Sequence, residues 1–268
     1  MHEPVSTVDL QRRFGGMRRL YGVQGAQRVA QAHVAVVGIG GVGSWVVEAL
    51  ARSGVGALTL VDMDHVAESN INRQIHATDA TLGQAKIQAM AERVAAFHPH
   101  CHITGVDDFV SADNWPAVLP ADVDAVIDAC DQVRAKVAMA AWARQNRRIL
   151  VSCGAAGGKR LPHAIEVADL SEVTHDPLLA QVRQQLRKHH GAPKAATHAG
   201  KVLAKSRMGL TCVFSREAVA LPDPSCAIDS GDGSLNCHGY GSAVTVTASF
   251  GLCAASVVLE RLAAGGDA

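Results

Sequence analysis

The sequence predicts an α/β fold: a mostly parallel sheet with helices on both faces, extended by antiparallel strands in the C-terminal half. Three observations carry this. An apolar run at 34–37 leads into the turn Gly38-Ile39-Gly40-Gly41-Val42-Gly43, and a helix-like stretch follows from Trp45 to Arg52. Further apolar runs at 58–61, 123–127 and 149–152 alternate with helical stretches at 84–97 and 132–146, the βαβ rhythm that winds a parallel sheet right-handedly. After Gly154 the rhythm changes, with a turn at Gly157 and Gly158 and short β-like runs at 164–167, 211–214 and 217–221 that read as antiparallel additions.

The 268 residues, 48% of them hydrophobic, are enough for one full core. With aromatics at only 4%, Ala, Val and Leu must fill most of it. No internal repeat or low-complexity linker marks a boundary, so one domain is expected over 1–268: an Arg-rich arm (1–30), a nucleotide-binding half (31–155) and a second half (156–268). Seven cysteines, an odd number, and no signal peptide point to a reducing cytoplasm with free thiols. Their wide spacing argues against a paired zinc site.

A strand, a tight glycine turn and a helix together aim free N–H groups at a phosphate. This makes Gly38, Gly40, Gly41 and Gly43 a candidate cradle, although the same pattern serves any dinucleotide cofactor. Asp62, ending the run at 58–61, stands where a carboxylate takes ribose hydroxyls. On these features alone a nicotinamide-dependent oxidoreductase stays open. Hydride transfer, however, develops no negative charge on phosphates and leaves Arg73 and Lys86 without a task. Nucleotidyl transfer supplies one. A carboxylate attacks the α-phosphate of ATP, charge spreads over phosphoryl oxygens, and pyrophosphate must be stabilised as it leaves. An Arg, a Lys and a Gln beside Mg²⁺ meet that demand.

These residues resemble the ubiquitin-activating-type adenylyltransferases, in Gly38 to Ser44, Asp62-Met63-Asp64, Ser69-Asn70-Ile71-Asn72-Arg73-Gln74 and Lys86. Val126-Ile127-Asp128-Ala129-Cys130-Asp131 is similar to that family's metal-binding strand end. The resemblance implies that Asp62 holds the ribose, that Asn70, Arg73, Gln74 and Lys86 hold the phosphates and acyl adenylate, and that Asp131 holds Mg²⁺. Asp64 either helps bind Mg²⁺ or caps its loop, and Asp128 is expected to orient Asp131. His76 either touches substrate or is a hydrogen-bonded structural residue.

Within that group the chain resembles the bacterial tRNA threonylcarbamoyladenosine dehydratases, at Arg13-Phe14-Gly15-Gly16, Arg19-Leu20-Tyr21-Gly22, Asn72 to Ala77, Val106 to Val110 and Cys212-Val213-Phe214-Ser215. The resemblance implies an ATP-dependent cyclising dehydration of threonylcarbamoyladenosine in tRNA, with Arg73, Lys86 and Asp131 catalytic. It further implies a homodimer, with 156–268 serving substrate binding and dimerisation, a cysteine desulfurase or sulfur-acceptor partner, and a monovalent cation as an additional candidate cofactor. The alternative is adenylation of the C-terminal glycine of a small ubiquitin-like sulfur carrier. The related thiamin and molybdopterin adenylyltransferases usually carry two Cys-x-x-Cys zinc pairs, which this sequence lacks. A catalytically dead nucleotide fold that binds RNA would have no use for Arg73, Lys86 and Asp131. The wider family supplies an arginine from the partner's N-terminus; here Gly16 stands where the second arginine of that motif would fall, and Arg13 and Arg19 are both candidates.

From Pro177 to Arg216 there is no acidic residue, whereas Lys194, Lys201, Lys205 and Arg207 are among eight basic ones. Either this segment is a hand for RNA phosphates or it is a solvated basic face. Cys237 lies beside His238 just before the last apolar stretch, where a helix N-terminus would lower its pKa, and the resemblance places it at the position of the dehydratases' proposed functional cysteine. It is a candidate catalytic residue, although adenylation followed by internal attack needs no protein nucleophile. Tyr240 to Leu259 has no charged residue over twenty positions, long enough to span a membrane. Its Ser, Thr and Gly content favours a buried or subunit-interface helix, with membrane association the weaker reading.

Overall fold

In the computed structural model, which describes residues 8–194, 197–198, 201–202, 206–223, 225 and 240–265, the strand β1 (His33–Val37) is buried along all five residues. It pairs in parallel with β2 (Ala57–Val61) on one side and β4 (Ala125–Asp128) on the other. Beyond β2 lies β3 (His102–Val106), and beyond β4 lies β5 (Ile149–Cys153), both parallel. The described sheet ends with β9 (Thr211–Ser215), parallel to β5, and β6 (Ile165–Asp169), antiparallel to β9. The order is thus β3-β2-β1-β4-β5-β9-β6, and a separate short pair joins β7 (Thr197–His198) to β8 (Lys201–Val202).

Alternation along β1 sorts the two faces. Val34 and Val36 pack with Val46 and Leu50 of α3 (Gly43–Arg52), with Met90 and Val94 of α4 (Lys86–Phe97) and with Phe250 of α7 (Val244–Ala264). Ala35 and Val37 face Met139 of α5 (Val133–Asn146) and Leu179 of α6 (Pro177–His189). Helices cover both faces, as the βαβ rhythm implies.

Two local expectations need correcting. The run at 211–214, read as an antiparallel addition, enters the sheet parallel to β5 and is antiparallel only to β6. The run at 217–221 is not a strand: Ala220 donates its N–H to the Gly158 carbonyl at 2.8 Å and Lys159 Nζ donates to the Glu217 carbonyl, so this backbone is bound to the 157–159 turn instead. The antiparallel extension is confined to β6 against β9.

The last helix, α7, has mean hydropathy 1.4 over its most apolar window, and half of that window is buried. Its small residues explain the burial. A Cβ on Gly251 would stand 2.6 Å from the Val42 carbonyl oxygen, so a glycine is needed where α7 crosses the start of α3. The arm comprises α1 (Leu10–Arg13) and α2 (Gly15–Gln31), the latter kinked at Gly22. Arg13 donates to the Phe97 carbonyl and Phe14 packs over Gly54, anchoring the arm on its own subunit.

Candidate active site

Chain order reverses between β1 and β4, and at such a switch point the two outgoing loops part to leave a crevice beyond the strands' C-terminal ends. The crevice here is lined by Gly38, Gly40 and Gly41 after β1, by Asp62 and Asp64 after β2, and by Ala129 to Gln132 after β4. Arg73, Gln74 and Lys86 border it as well.

Gly38 has φ +86°, and a Cβ there would come within 3.0 Å of the Cys130 backbone. Gly43 faces inward: its Cβ would fall 1.8 Å from the Gly38 carbonyl oxygen. It lies outside the crevice wall and lets the turn close tightly onto α3.

Asp62 is nearly buried; its Oδ2 accepts the Ile39 N–H at 2.6 Å and its Oδ1 accepts the Asp64 N–H at 2.9 Å. Burial raises its pKa, opposed in part by Lys86 and these N–H groups. Lys86 begins α4 with its ammonium 2.6 Å from Asp64 Oδ2 and 4.0 Å from Asp62 Oδ1. Asp64 is therefore the immediate ion-pair partner of Lys86.

Arg73 Nη1 donates to the Ser69 carbonyl at 2.6 Å and to Asn72 Oδ1 at 2.9 Å, and its own carbonyl accepts from Trp45 Nε1 at 3.0 Å. These bonds hold its side chain against Gly41, where an added Cβ would lie 3.3 Å away. Gln74 Oε1 is buried without a hydrogen-bond partner among the described residues, an acceptor free for a ligand donor. Asn70 is placed differently from the expectation. It lies outside the crevice, and its Oδ1 accepts the Ala67 N–H at 3.1 Å, shaping the loop that carries Arg73.

Asp131 is exposed on the crevice rim. Among the described residues no three His, Cys, Asp or Glu side chains converge as a metal group. A lone rim carboxylate has the ligand chemistry of a Mg²⁺ site that is completed by substrate phosphates and water. Beneath the rim, Asp128 Oδ1 accepts from the Cys130 N–H at 3.3 Å, and its Oδ2 accepts from Ser152 Oγ at 2.6 Å and Lys136 Nζ at 3.0 Å. Asp128 thus secures the loop through Cys130 and has no direct bond to Asp131. Lys136 also donates to the Cys153 carbonyl at 2.7 Å. Burial, reinforced by Asp128, pushes the Cys130 thiol well above its ordinary value, so it is no nucleophile at neutral pH.

Sequence reasoning passed over Lys136, Phe109 and Thr247. Phe109 and Thr247 line the crevice; the signal for Phe109 lay within the Val106 to Val110 stretch. Lys136 carried none, looking like any lysine on a helix. Among the basic candidates, Lys194 is exposed, and Arg207 is exposed and pairs with Glu172 at 3.3 Å. The backbone of Lys201 lies in β8, while Lys205 and Cys237 lie outside the described residues. His76 is buried, and its expected hydrogen bonds are absent among the described residues. Desolvation, then Lys86 and Arg93, lower its pKa to about 4.

Residues 15–264 match the ThiF family. The chain is similar to the tRNA threonylcarbamoyladenosine dehydratase of Escherichia coli, 45% identical over 259 residues that cover 94% of each chain. It is similar to the Haemophilus influenzae protein of the same name, 42% identical over 255 residues and 94% of each. Its structure is similar to that of the E. coli tRNA N6-threonylcarbamoyladenosine dehydratase in complex with ATP, with TM-score 0.84 and 43% identity over 97% of this chain and 98% of that one. Similarity to the E. coli molybdopterin-synthase adenylyltransferase is 37% over 115 residues, 43% of this chain and 46% of the other.

Proposed function

The chain belongs to the ThiF family, and from that premise we propose that it is an ATP-dependent dehydratase that cyclises threonylcarbamoyladenosine in tRNA through an acyl adenylate. The observation that carries the reading is the convergence of Arg73, Gln74, Lys86 and Asp131 with the glycine turn on one crevice. Near full-length similarity to dehydratases selects the substrate.

ATP is a co-substrate that the crevice fits on three counts: the positive φ and close approach of Gly38, the Lys86 ammonium on one wall, and the orphaned Gln74 amide oxygen. Asp62, already fixed by two backbone N–H groups, would take ribose hydroxyls with its remaining acceptor capacity. Lys86 and Arg73 would bear on the phosphates. The substrate carboxylate attacks the α-phosphorus, the bond from that phosphorus to the bridging oxygen breaks, and pyrophosphate leaves with the bond electrons. A nitrogen or oxygen of the carbamoyl group then attacks the activated carbonyl and expels AMP, with its proton passing to solvent. One carboxylate oxygen departs in AMP, so the net change is loss of water. Arg73 and Lys86 act where charge accumulates on the departing phosphates. Asp131 would hold Mg²⁺, which when bound neutralises phosphate charge.

The working unit is a cytoplasmic homodimer whose partner-supplied arginine is Arg19, since Arg13 is engaged with Phe97 on its own subunit. Lys194, Lys201, Lys205 and Arg207 would contact tRNA phosphates, and Cys237 stays a candidate for a chemical role.

The test is release of AMP from ATP labelled at the α-phosphate, in the presence of Mg²⁺ and tRNA with or without the threonylcarbamoyl group. AMP formed only with the modified tRNA supports the reading. AMP formed only with a carrier protein ending in Gly-Gly replaces it with carrier adenylation.

A further inference from the structure

At the end of the sheet opposite the crevice, the segments entering β1, β4 and β5 enclose a depression walled by Arg28, Arg147, Arg148 and Arg261, with Asp124 its one carboxylate among the described residues. Asp124 is engaged, because its Oδ2 accepts the His33 N–H at 2.8 Å. Arg28 Nε donates to the Ala263 carbonyl at 3.0 Å and Arg261 donates to Thr211 Oγ1. Arg147 and Arg148 are different: both are exposed just past α5, and among the described residues neither guanidinium has a hydrogen bond or ion pair.

In the basic segment that stands out in the sequence, four arginines are engaged. Arg183 donates to the Leu170 and Val173 carbonyls, Arg187 to the Pro193 carbonyl, and Arg207 and Arg216 pair with Glu172 and Glu166. The end of α5 adjoins that segment, since Arg144 Nε donates to the Met208 carbonyl at 2.8 Å. A basic ridge therefore continues from α6 to the depression.

We propose that this depression is a second tRNA-binding surface, taking backbone phosphates of a part of the tRNA remote from the modified nucleoside. The proposal rests on tRNA being the substrate. Helices α2, α5 and α7 all end here, and helix C-termini disfavour anions. Arg28 and Arg261 offset that effect, and the two free guanidinium groups leave a net attraction. Guanidinium forks match phosphate oxygens in pairs, and the four side chains that dominate the wall are charged, with no aromatic anchor of the kind a protein partner grips. The crevice opens beyond the C-terminal ends of the strands and the depression at the ends where β1, β4 and β5 begin, so RNA gripped here is not the nucleoside seated in the crevice.

The experiment compares wild type with Arg147→Asn/Arg148→Gln, where Asn tolerates the left-handed backbone at 147. Binding of an unmodified full-length tRNA transcript is measured across a salt series, alongside a short stem-loop carrying the modified nucleoside. The expected result is roughly tenfold weaker binding of full-length tRNA, a log–log salt slope shallower by about one to two, and unchanged stem-loop binding and AMP release. Arg147→Lys/Arg148→Lys should restore the slope. An unchanged affinity and slope overturns the proposal, as does an equal loss on stem-loop and full-length tRNA. Because the transcript is unmodified and bound without turnover, failure of the dehydratase reading shows separately, as absent AMP release with modified tRNA.

Discussion

Lys136 Nζ lies 3.0 Å from Asp128 Oδ2 with neither side chain exposed to solvent. Burial alone would lower the ammonium's pKa, but the adjacent carboxylate, aided by Cys130 and Cys153, leaves it raised. The ammonium therefore remains charged, and its bonds to Asp128 and to the Cys153 carbonyl link the ends of β4 and β5 beneath the rim that carries Asp131.

Lys136→Met would strand the Asp128 carboxylate in the interior. Removing one partner of a buried pair costs about 3–5 kcal/mol, to be read by denaturant unfolding. The double variant Lys136→Met/Asp128→Leu should lose much less than the sum of the two single changes. A loss below about 1 kcal/mol for Lys136→Met would show that the pair does not hold the rim.

Replacing Arg73 or Lys86 by Ala removes a cation from the phosphates and should lower AMP release by about 10²-fold or more. Near wild-type turnover for either variant would take that residue out of the mechanism.

Gly43→Ala places a methyl group where the Gly38 carbonyl oxygen already stands, 1.8 Å from the added carbon. The turn must open, so the thermal shift given by ATP with Mg²⁺ should disappear. Gly16→Ala is the control. Nothing lies within 4 Å of its added Cβ, and alanine in a helix is favoured over glycine by about 1 kcal/mol, so the ATP shift should persist.

His76 predicts a pH dependence. Its pKa is lowered from 6.5 to about 4 in the fold. Between these values the unfolded chain binds the proton and the folded chain does not, so stability rises with pH across that window. The contribution is complete above about pH 6.5 and is lost as pH falls toward 4, amounting to about 3 kcal/mol. His76→Leu removes no hydrogen bond found among the described residues. Unfolding free energies from denaturant titrations between pH 4 and 7 should vary less in that variant by about this amount; parallel curves would refute the assignment.

How legible the molecule was depended on whether its signals were local. The β1–turn–α3 unit could be read because periodicity and glycine chemistry coincide within twenty residues, and the carboxylates at the ends of β2 and β4 followed from it. The strand β3 was missed because it is an edge strand, half exposed, with His102, Thr104 and Gly105 breaking its apolar pattern. The run at 217–221 looked like a strand, but its backbone groups are satisfied by the 157–159 turn, a contact across some sixty residues of sequence. Lys136 was invisible for the same reason: its meaning comes from Asp128, Ser152 and Cys153 meeting around it. The charge of 177–216 was plain in the sequence, but not that Glu166 and Glu172, outside the segment, engage two of its arginines.

The arm helix α2 finds its seat largely on α7: Gly25 abuts Ala263, and Arg28 reaches the carbonyl of that same residue, 235 positions away. In order of synthesis α2 precedes every strand of the described sheet and α7 follows them, so α2 must be held unseated while the sheet forms. The docking surface exists only after α7 is synthesised, so a helix made before the sheet is fixed in place after it.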